Sequence, residues 1–230
     1  MGNVASLIQH LKWIALSGAV FGFLCSMPCL AGKDPGSDET EVLRAYNKTA
    51  LQLYRELGEE SQNLVLSPYS IGNVMSMALS GARSDTEQEM MKVLNQTISR
   101  ERIESANSKI LDRMNRLQNS KDLVFSTANA LCLTGHDDLV QDTYRDLIRK
   151  KYRAELFRAR DVTPINAWVS KQTHERIDKI LEELNPNSVC VLLNAVYFKG
   201  LWASQFDKQQ TRSGNFYVAE QKALSVPMMH

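Results

Sequence analysis

The longest apolar run outside the N-terminus covers residues 189–198, which read VCVLLNAVYF. Its β-branched and aromatic residues lie between turn-forming residues at 185–188 and a Lys-Gly pair, so the run predicts a strand buried on both faces in the middle of a sheet. Asn194 is the only strongly polar side chain in the run. A buried amide without hydrogen-bond partners costs roughly 1–3 kcal/mol, so Asn194 predicts a polar partner from another element, and a satisfied core asparagine is the plainest interpretation.

Apolar residues that recur every three or four positions predict six helices before this strand. The first has apolar positions from Leu43 to Leu57 and ends at Gly58. The second starts with Ser67 as N-cap and Pro68 at its first position, and Gly81 closes it. The third is predicted to start at a capping box in residues 84–87, and the fourth to cover residues 99–119. The fifth is predicted to start at Asp137 or Asp138, and the sixth to run from Thr163 along an apolar stripe that ends at Leu184.

Further strands are predicted at residues 63–66, 123–134 and 154–157. These strands occur among the helices without strict βαβ alternation, which favours an α+β fold. Cys132 and Cys190 lie in predicted strands, and we expect both to be buried thiols rather than partners in a disulfide.

The first 31 residues have the pattern of a secretory signal peptide. Lys12 is their only charged residue, residues 13–24 form an uncharged apolar run, and Cys29 and Ala31 place small side chains before a cleavage site. The apolar run is shorter than the ~20 residues of a membrane span, and a retained membrane anchor is the alternative. Residues 32–40 form a polar leader, and the protein is expected to be secreted and extracellular.

Net charge and motifs give no support to several functional classes. Removal of the signal would take Lys12 from the 27 basic residues and leave 26, equal to the 26 acidic residues. A chain without net charge gives no electrostatic reason to expect nucleic-acid or membrane binding. The sequence contains no P-loop, dinucleotide-binding, α/β-hydrolase or zinc-protease motif, so nothing in it points to an enzyme, a cofactor or a metal site.

Residues 194–202 read NAVYFKGLW, and Phe206, Thr211, Phe216 and a VPMM sequence at 226–229 follow. This pattern resembles the third strand of the main sheet of serpins and the segment after it. Residues 63–83 resemble the serpin strand that leads into helix B, and residues 164–181 resemble helix F. The resemblance implies that residues 41–230 are the N-terminal part of a single serpin domain, an incomplete serpin fold with helices A–F, strands of sheet A and the start of sheets B and C.

The resemblance also implies a function. In inhibitory serpins a serine protease attacks an exposed reactive loop, which then inserts into the main sheet while the protease stays trapped as an acyl-enzyme. In the serpin pattern this loop lies beyond His230, so we expect the sequence to be incomplete and its reactive site to lie outside it. Without that site the sequence does not identify the target protease. A non-inhibitory serpin (a carrier, storage protein or chaperone) and a truncated inactive product are the alternatives.

The resemblance assigns roles to individual residues. Ser67, Ser70 and Asn194 fall on the serpin shutter, a buried polar cluster that controls opening of the main sheet. Trp202 falls on the breach, where the reactive loop first enters the sheet.

Two glycosylation sequons and one basic stripe add candidate surface sites. The sequons start at Asn47 and Asn95, and in a secreted chain each could carry a sugar. At ~100° per residue, four basic residues share one flank of the predicted helix 99–119: Arg102, Lys109, Arg113 and Arg116. A solvated helix face is the plainer interpretation. The alternative is a site for a sulfated polysaccharide, which helix D binds in some serpins, and the protein is otherwise expected to be a monomer.

Overall fold

The computed structural model describes residues 36–58, 63–116, 122–219 and 222–230. The predicted signal peptide and residues 32–35 of the predicted leader lie outside this range. Helices and strands are mixed, and two of the three strand pairings in the described residues are antiparallel, which confirms the α+β fold. The helices are α1 (Asp38–Leu57), α2 (Pro68–Gly81), α3 (Ser84–Val93), α4 (Arg100–Arg116), α5 (Asp142–Tyr152) and α6 (Thr163–Gln172). The strands are β1 (Leu123–Leu133), β2 (Glu155–Arg158), β3 (Cys190–Gly200), β4 (Arg212–Ala219) and β5 (Lys222–Met228).

Side-chain caps determine where the first two helices begin. The hydroxyl of Ser37 accepts the backbone N–H of Thr40 at 3.3 Å, and acidic residues fill the first turn of α1. This helix therefore starts inside the predicted polar leader. α2 begins at Pro68 behind its N-cap Ser67 and ends at Gly81, as predicted.

One predicted helix cap and one predicted helix start are wrong. Ser84, with φ of +53°, already occupies the first position of α3, and the N-cap residue Arg83 makes no side-chain cap, so the predicted capping box does not form. Asp137 and Asp138 lie in a short 3-10 turn, and α5 begins only after Gln141.

The helix predicted over residues 163–184 ends early, at Gln172. The hydroxyl of Thr173 accepts the N–H of Ile177 at 3.1 Å, in place of the backbone carbonyl that would continue the helix. The two residues after Thr173 have φ of +51° and +60°, which no α-helix accommodates.

Residues 173–188 follow α6 as an irregular segment, here called the strap. The amide oxygen of Asn166 in α6 accepts the N–H groups of Ile180 at 2.9 Å and Leu181 at 3.0 Å, and its Nδ2 donates to the carbonyl of Leu181 at 2.8 Å. One side chain thus supplies hydrogen bonds that a neighbouring strand or helix would otherwise make. The strap keeps its apolar side chains packed on the sheet: Ile177, Ile180, Leu181 and Leu184.

Three strands form the main sheet, in the order β2-β1-β3. β1 pairs with β2 in parallel and with β3 in antiparallel orientation. The register between β1 and β3 places Asn129 opposite Asn194. β4 and β5 form a separate antiparallel hairpin.

Two strand predictions need correction. The run at 189–198 forms a strand, but it lies at an edge of the sheet, because β1 is its only neighbour among the described strands. Leu193 and Ala195 are buried along it, whereas its last three residues are exposed. Residues 63–66 form no strand, since they pair with none of the described strands.

The main sheet has a hydrophobic core on each face. One face packs against α6 and the strap, through Ala130, Cys132, Leu193 and Ala195. The opposite face packs against α2 and α5, through Leu131 and Leu133. Side chains alternate along a strand, so Asn129 and the opposing Asn194 lie on the face that looks toward α2 and α5. A third cluster joins α1, α2 and α4.

Cys132 and Cys190 are both free thiols, as predicted, but only Cys132 is buried, whereas Cys190 is half-buried. Cys132 lies in the core on the α6 side of the sheet, whereas Cys190 packs on the other side. Burial raises the pKa of Cys132 to about 11, so this thiol stays protonated at neutral pH.

Candidate functional site

The polar partner that Asn194 required is on β1. Nδ2 of Asn194 donates to Oδ1 of Asn129 at 2.9 Å and lies 3.3 Å from both Thr127 Oγ1 and the Ala128 carbonyl. Asn129 is 2% exposed and in turn donates to the backbone carbonyl of Tyr152 at 2.8 Å. The pair therefore connects the edge strand β3, through the central strand, to the end of α5.

One polar atom of this site has no partner. Oδ1 of Asn194 is buried, and it accepts no hydrogen bond from the described residues. An unpaired buried acceptor is uncommon in folded proteins and is costly unless another group satisfies it. Oδ1 of Asn194 therefore has unused acceptor capacity on the face of the sheet that looks toward α2 and α5.

The two serines of the predicted shutter form their own contact at the start of α2. Ser67 Oγ donates to Ser70 Oγ at 2.9 Å and accepts the Ser70 N–H at 3.3 Å, and Ser67 is exposed. No direct hydrogen bond joins this pair to Asn194 among the described residues. Burial raises the pKa of the neighbouring Tyr69 to about 12, while the nearby hydroxyl of Thr127 acts in the opposite direction.

A buried hydrogen-bond network behind the sheet is missing from the sequence predictions. The hydroxyl of Tyr152 lies 3.0 Å from Ser80 Oγ and donates to the Ser76 carbonyl at 3.1 Å. Ser76 Oγ lies 2.9 Å from the hydroxyl of Tyr46, which donates to Asn107 Oδ1 at 2.6 Å. The network joins α1, α2, α4 and α5, and its tyrosine hydroxyls stay protonated because burial raises their pKa values.

Glu104 of α4 is a buried carboxylate beside this network. It is 6% exposed, its Oε1 lies 3.6 Å from the Arg100 guanidinium, and that oxygen has no hydrogen-bond partner among the described residues. Burial raises the pKa of Glu104, while the nearby hydroxyl of Ser80 and the charge of Arg100 act in the opposite direction.

The basic stripe of α4 is partly neutralised by α1. Arg102 pairs with Asp38 at 2.6 Å, and Lys109 pairs with Glu39 at 3.3 Å. Arg113 and Arg116 lie in the last turn of α4, where positive charge also interacts favourably with the helix dipole.

The predicted breach residue lies just beyond the end of β3. Trp202 is 47% exposed, and its ring packs edge-to-face against Phe206 with centroids 5.7 Å apart. At the same end of β3, His174 of the strap packs against the ring of Tyr197 with centroids 4.3 Å apart.

The predicted sequon residues differ in their surroundings. Asn47 is exposed on α1, whereas Asn95 is half-buried after the end of α3.

In the described part of the chain, no helix has the length and hydropathy that a membrane span requires. No group of three or more histidine, cysteine, aspartate or glutamate side chains within those same residues is placed to hold a metal ion.

Comparison with known proteins supports a single family. The family model for serpins, described as serine protease inhibitors, matches residues 44–230. Among curated proteins, Iripin-8 of Ixodes ricinus is 31% identical over 214 residues, which are 87% of this chain and 52% of the relative. A serine protease inhibitor of Mus musculus is 32% identical over 191 residues, 78% of this chain and 42% of the relative.

Solved structures give the same fold. Human thyroxine-binding globulin with a cleaved reactive loop superposes with a TM-score of 0.76 at 25% identity, over 84% of this chain and 60% of that chain. The chain spans about half the length of the curated relatives it matches. Its helices and its three-stranded sheet therefore form part of the larger fold of these proteins.

Proposed function

The chain belongs to the serpin family, and we propose that it is the N-terminal part of a secreted inhibitor of a serine endopeptidase. A reactive loop outside this sequence is cleaved by the protease and inserts into the main sheet. The printed description of the family and the name of the mouse relative, a serine protease inhibitor, support this proposal. The signal-like first 31 residues support secretion to the extracellular space.

The observation that carries the proposal is the outer edge of β3. Among the described residues no strand pairs with this edge, although β3 bonds to β1 along its whole length. A row of free backbone N–H and C=O groups is a template for an added strand. The buried Oδ1 of Asn194 lacks a donor at the same strand.

The residues proposed to control insertion lie around this edge. Asn194 holds β3 to β1 through Asn129, and Ser67 and Ser70 hydrogen-bond each other at the start of α2. We propose these three residues, Ser67, Ser70 and Asn194, as the shutter. Trp202, exposed beyond the end of β3, is proposed as the breach residue.

The test uses the native protein and its complete transcript. Small residues in the loop hinge beyond codon 230 are expected, because bulky or charged ones oppose burial in a sheet. The native protein should form a complex with a serine protease that survives boiling in SDS, whereas a protease with a blocked catalytic serine should form none. Cleavage of the loop without any such complex would contradict the inhibitor proposal.

A carrier function is the second candidate. It is favoured by the likeness to thyroxine-binding globulin, a protein named for a small-molecule ligand, at 25% identity. A carrier would show no SDS-stable protease complex, and its hinge would contain bulky or charged residues.

A sulfated polysaccharide is a proposed partner of the stripe on α4. The proposed contact comprises Arg102, Lys109, Arg113 and Arg116, and its test targets Arg113 and Arg116, which lie together in the last turn of α4. Replacing both by alanine should lower the salt concentration at which the protein leaves a heparin column. The matched control replaces two exposed basic residues of α5, Arg149 and Lys150, and should elute like the unmodified protein. Equal shifts in both variants would contradict a specific site.

A further inference from the structure

The two glycosylation sequons are distant in sequence and contact each other in the fold. The first, Asn47-Lys48-Thr49, lies on α1, and the second, Asn95-Gln96-Thr97, follows α3. Nδ2 of Asn95 donates to the hydroxyl of Thr49 at 3.0 Å. The asparagine of one sequon thus binds the threonine of the other, and the two asparagines are in different structural situations.

Asn95 uses its side-chain amide to join α3 to α1. Besides Thr49, Nδ2 reaches Gln52 Oε1 at 2.7 Å and the Val93 carbonyl at 3.4 Å. Thr49 is only 7% exposed, so this contact lies at the edge of the core. The backbone of Asn95 has φ of +53°, a left-handed conformation that asparagine tolerates better than most residues and that commonly ends a helix.

A sugar on Asn95 conflicts with this arrangement. An N-linked glycan replaces one of the two hydrogens on Nδ2 and places a sugar ring where the acceptors now lie. At least one contact to α1 would be lost, and the bulk of the ring would push α1 and α3 apart. A folded chain with a modified Asn95 would therefore be less stable than one without the modification.

Asn47 has none of these constraints. It is exposed in the middle of α1, and its side chain takes part in no hydrogen bond within the described residues. Leu51 and Tyr54, one and two turns further along the same face, are 51% and 50% exposed. A bulky polar glycan at Asn47 would project into solvent beside this apolar stripe without breaking a contact.

We propose that Asn47 is the glycosylated residue and that Asn95 is a structural asparagine that stays unmodified in the folded protein. This inference rests on the proposed entry into the secretory pathway. In the transfer step, Nδ2 of Asn47 forms a bond to C1 of an oligosaccharide carried on a lipid diphosphate. The bond from C1 to the diphosphate oxygen breaks, Nδ2 loses one proton, and the lipid diphosphate leaves.

The first experiment measures occupancy. The full chain is exported from a eukaryotic host behind a heterologous signal peptide, and the intact mass of soluble monomer is measured before and after enzymatic removal of N-glycans. One glycan is expected on the unmodified chain and none on Asn47→Gln. Thr97→Ala, which destroys the second sequon without touching the Asn95 amide, should keep the whole glycan mass. A glycan that persists in Asn47→Gln, that is lost in Thr97→Ala, or that is missing from the unmodified chain overturns the proposal.

The second experiment does not depend on export. In unglycosylated chain from a bacterial host, Asn95→Gln should lower the Tm by roughly 2–8 °C through its lost contacts, whereas Asn47→Gln should leave the Tm unchanged. Equal Tm values for the two variants would overturn the structural role of Asn95. Failure of the chain's own first 31 residues to direct export, with occupancy intact behind the heterologous signal, would contradict only the proposed secretion.

Discussion

The contact between Asn194 and Asn129 offers a quantitative test of how β3 is held at the edge of the sheet. Of the three acceptors near Asn194 Nδ2, only Asn129 Oδ1, at 2.9 Å, lies within the usual range for an N–H···O bond; the other two are at 3.3 Å. Asn194→Ala removes this bond and leaves the buried Oδ1 of Asn129 without a donor. An acceptor stranded in this way costs about 1–3 kcal/mol.

The same substitution also removes an unfavourable group. Oδ1 of Asn194 is itself buried without a partner, so its deletion offsets part of the loss. The net effect of Asn194→Ala alone is therefore smaller than the value of the bond. A double-mutant cycle separates the two contributions, because the unpaired oxygen is absent from both proteins that carry Asn194→Ala.

The cycle comprises the unmodified protein, Asn194→Ala, Asn129→Ala and the double variant, each unfolded in urea and followed by tryptophan fluorescence. Since the bond can be lost only once, the sum of the losses in unfolding free energy of the two single variants should exceed the loss in the double variant by about 1–3 kcal/mol. Asn194→Ala should also produce more high-molecular-weight species on native gels, because it frees the edge strand.

Asn215→Ala is the matched control. Asn215 lies exposed on the separate hairpin. The effects of Asn215→Ala and Asn129→Ala on the unfolding free energy should therefore be additive within about 0.5 kcal/mol. If Asn194→Ala and Asn129→Ala also add within this limit, the contact does not hold β3, and the reasoning about the edge is refuted.

Three other substitutions test separate parts of the fold. Burial raises the pKa of Glu104 above its usual 4.5, so the carboxyl contributes stability below pH 4.5 that is lost as the pH rises through its folded-state pKa. Glu104→Gln should therefore raise the Tm at pH 7 and change the Tm little at pH 4. A lower Tm of the variant at pH 7 would contradict the burial argument. Asn166→Ala should speed hydrogen exchange of the Ile180 and Leu181 amides, which lose their acceptor, whereas Asn187→Ala on the exposed end of the strap should not. Equal exchange rates in the two variants would contradict the proposal that Asn166 holds the strap. A Cβ on Gly72 would overlap the ring of Tyr46, so Gly72→Ala should destabilise the protein by about 1–3 kcal/mol in urea, and an unchanged midpoint would contradict the close contact of α1 and α2.

Local signals were sufficient to predict much of the fold. Ser67 and Pro68 mark the start of α2 because a cap and a proline act within one turn of chain. The alternation of apolar residues identified β1, and the apolar run identified β3. The polar character of Asn194 within an apolar strand correctly indicated a hydrogen-bond partner from another element.

The identity of that partner depends on register, which no local pattern contains. Asn129 meets Asn194 because β1 and β3 pair in one alignment across a separation of 65 residues. The Tyr46–Ser76 and Ser80–Tyr152 contacts likewise join residues 30 and 72 positions apart. Ser76 and Ser80, one turn apart on the inner face of α2, are a local sign that a buried network lies there.

Tertiary contacts also override local helix and strand signals. The apolar stripe up to Leu184 does pack against the sheet, but Asn166 and Thr173 satisfy the backbone with side chains, so the strap is not a helix. The basic stripe on α4 follows helical spacing, yet Arg102 and Lys109 pair with acids of α1, which is distant in sequence.

The most direct test of strand insertion at β3 is the Tm of the native full-length protein before and after a protease cuts its reactive loop. An inserted strand adds backbone hydrogen bonds along β3, each worth about 0.5–1.5 kcal/mol. The Tm is therefore predicted to rise clearly on cleavage. An unchanged or lower Tm, with the cut in the loop verified by mass, would contradict insertion into this sheet.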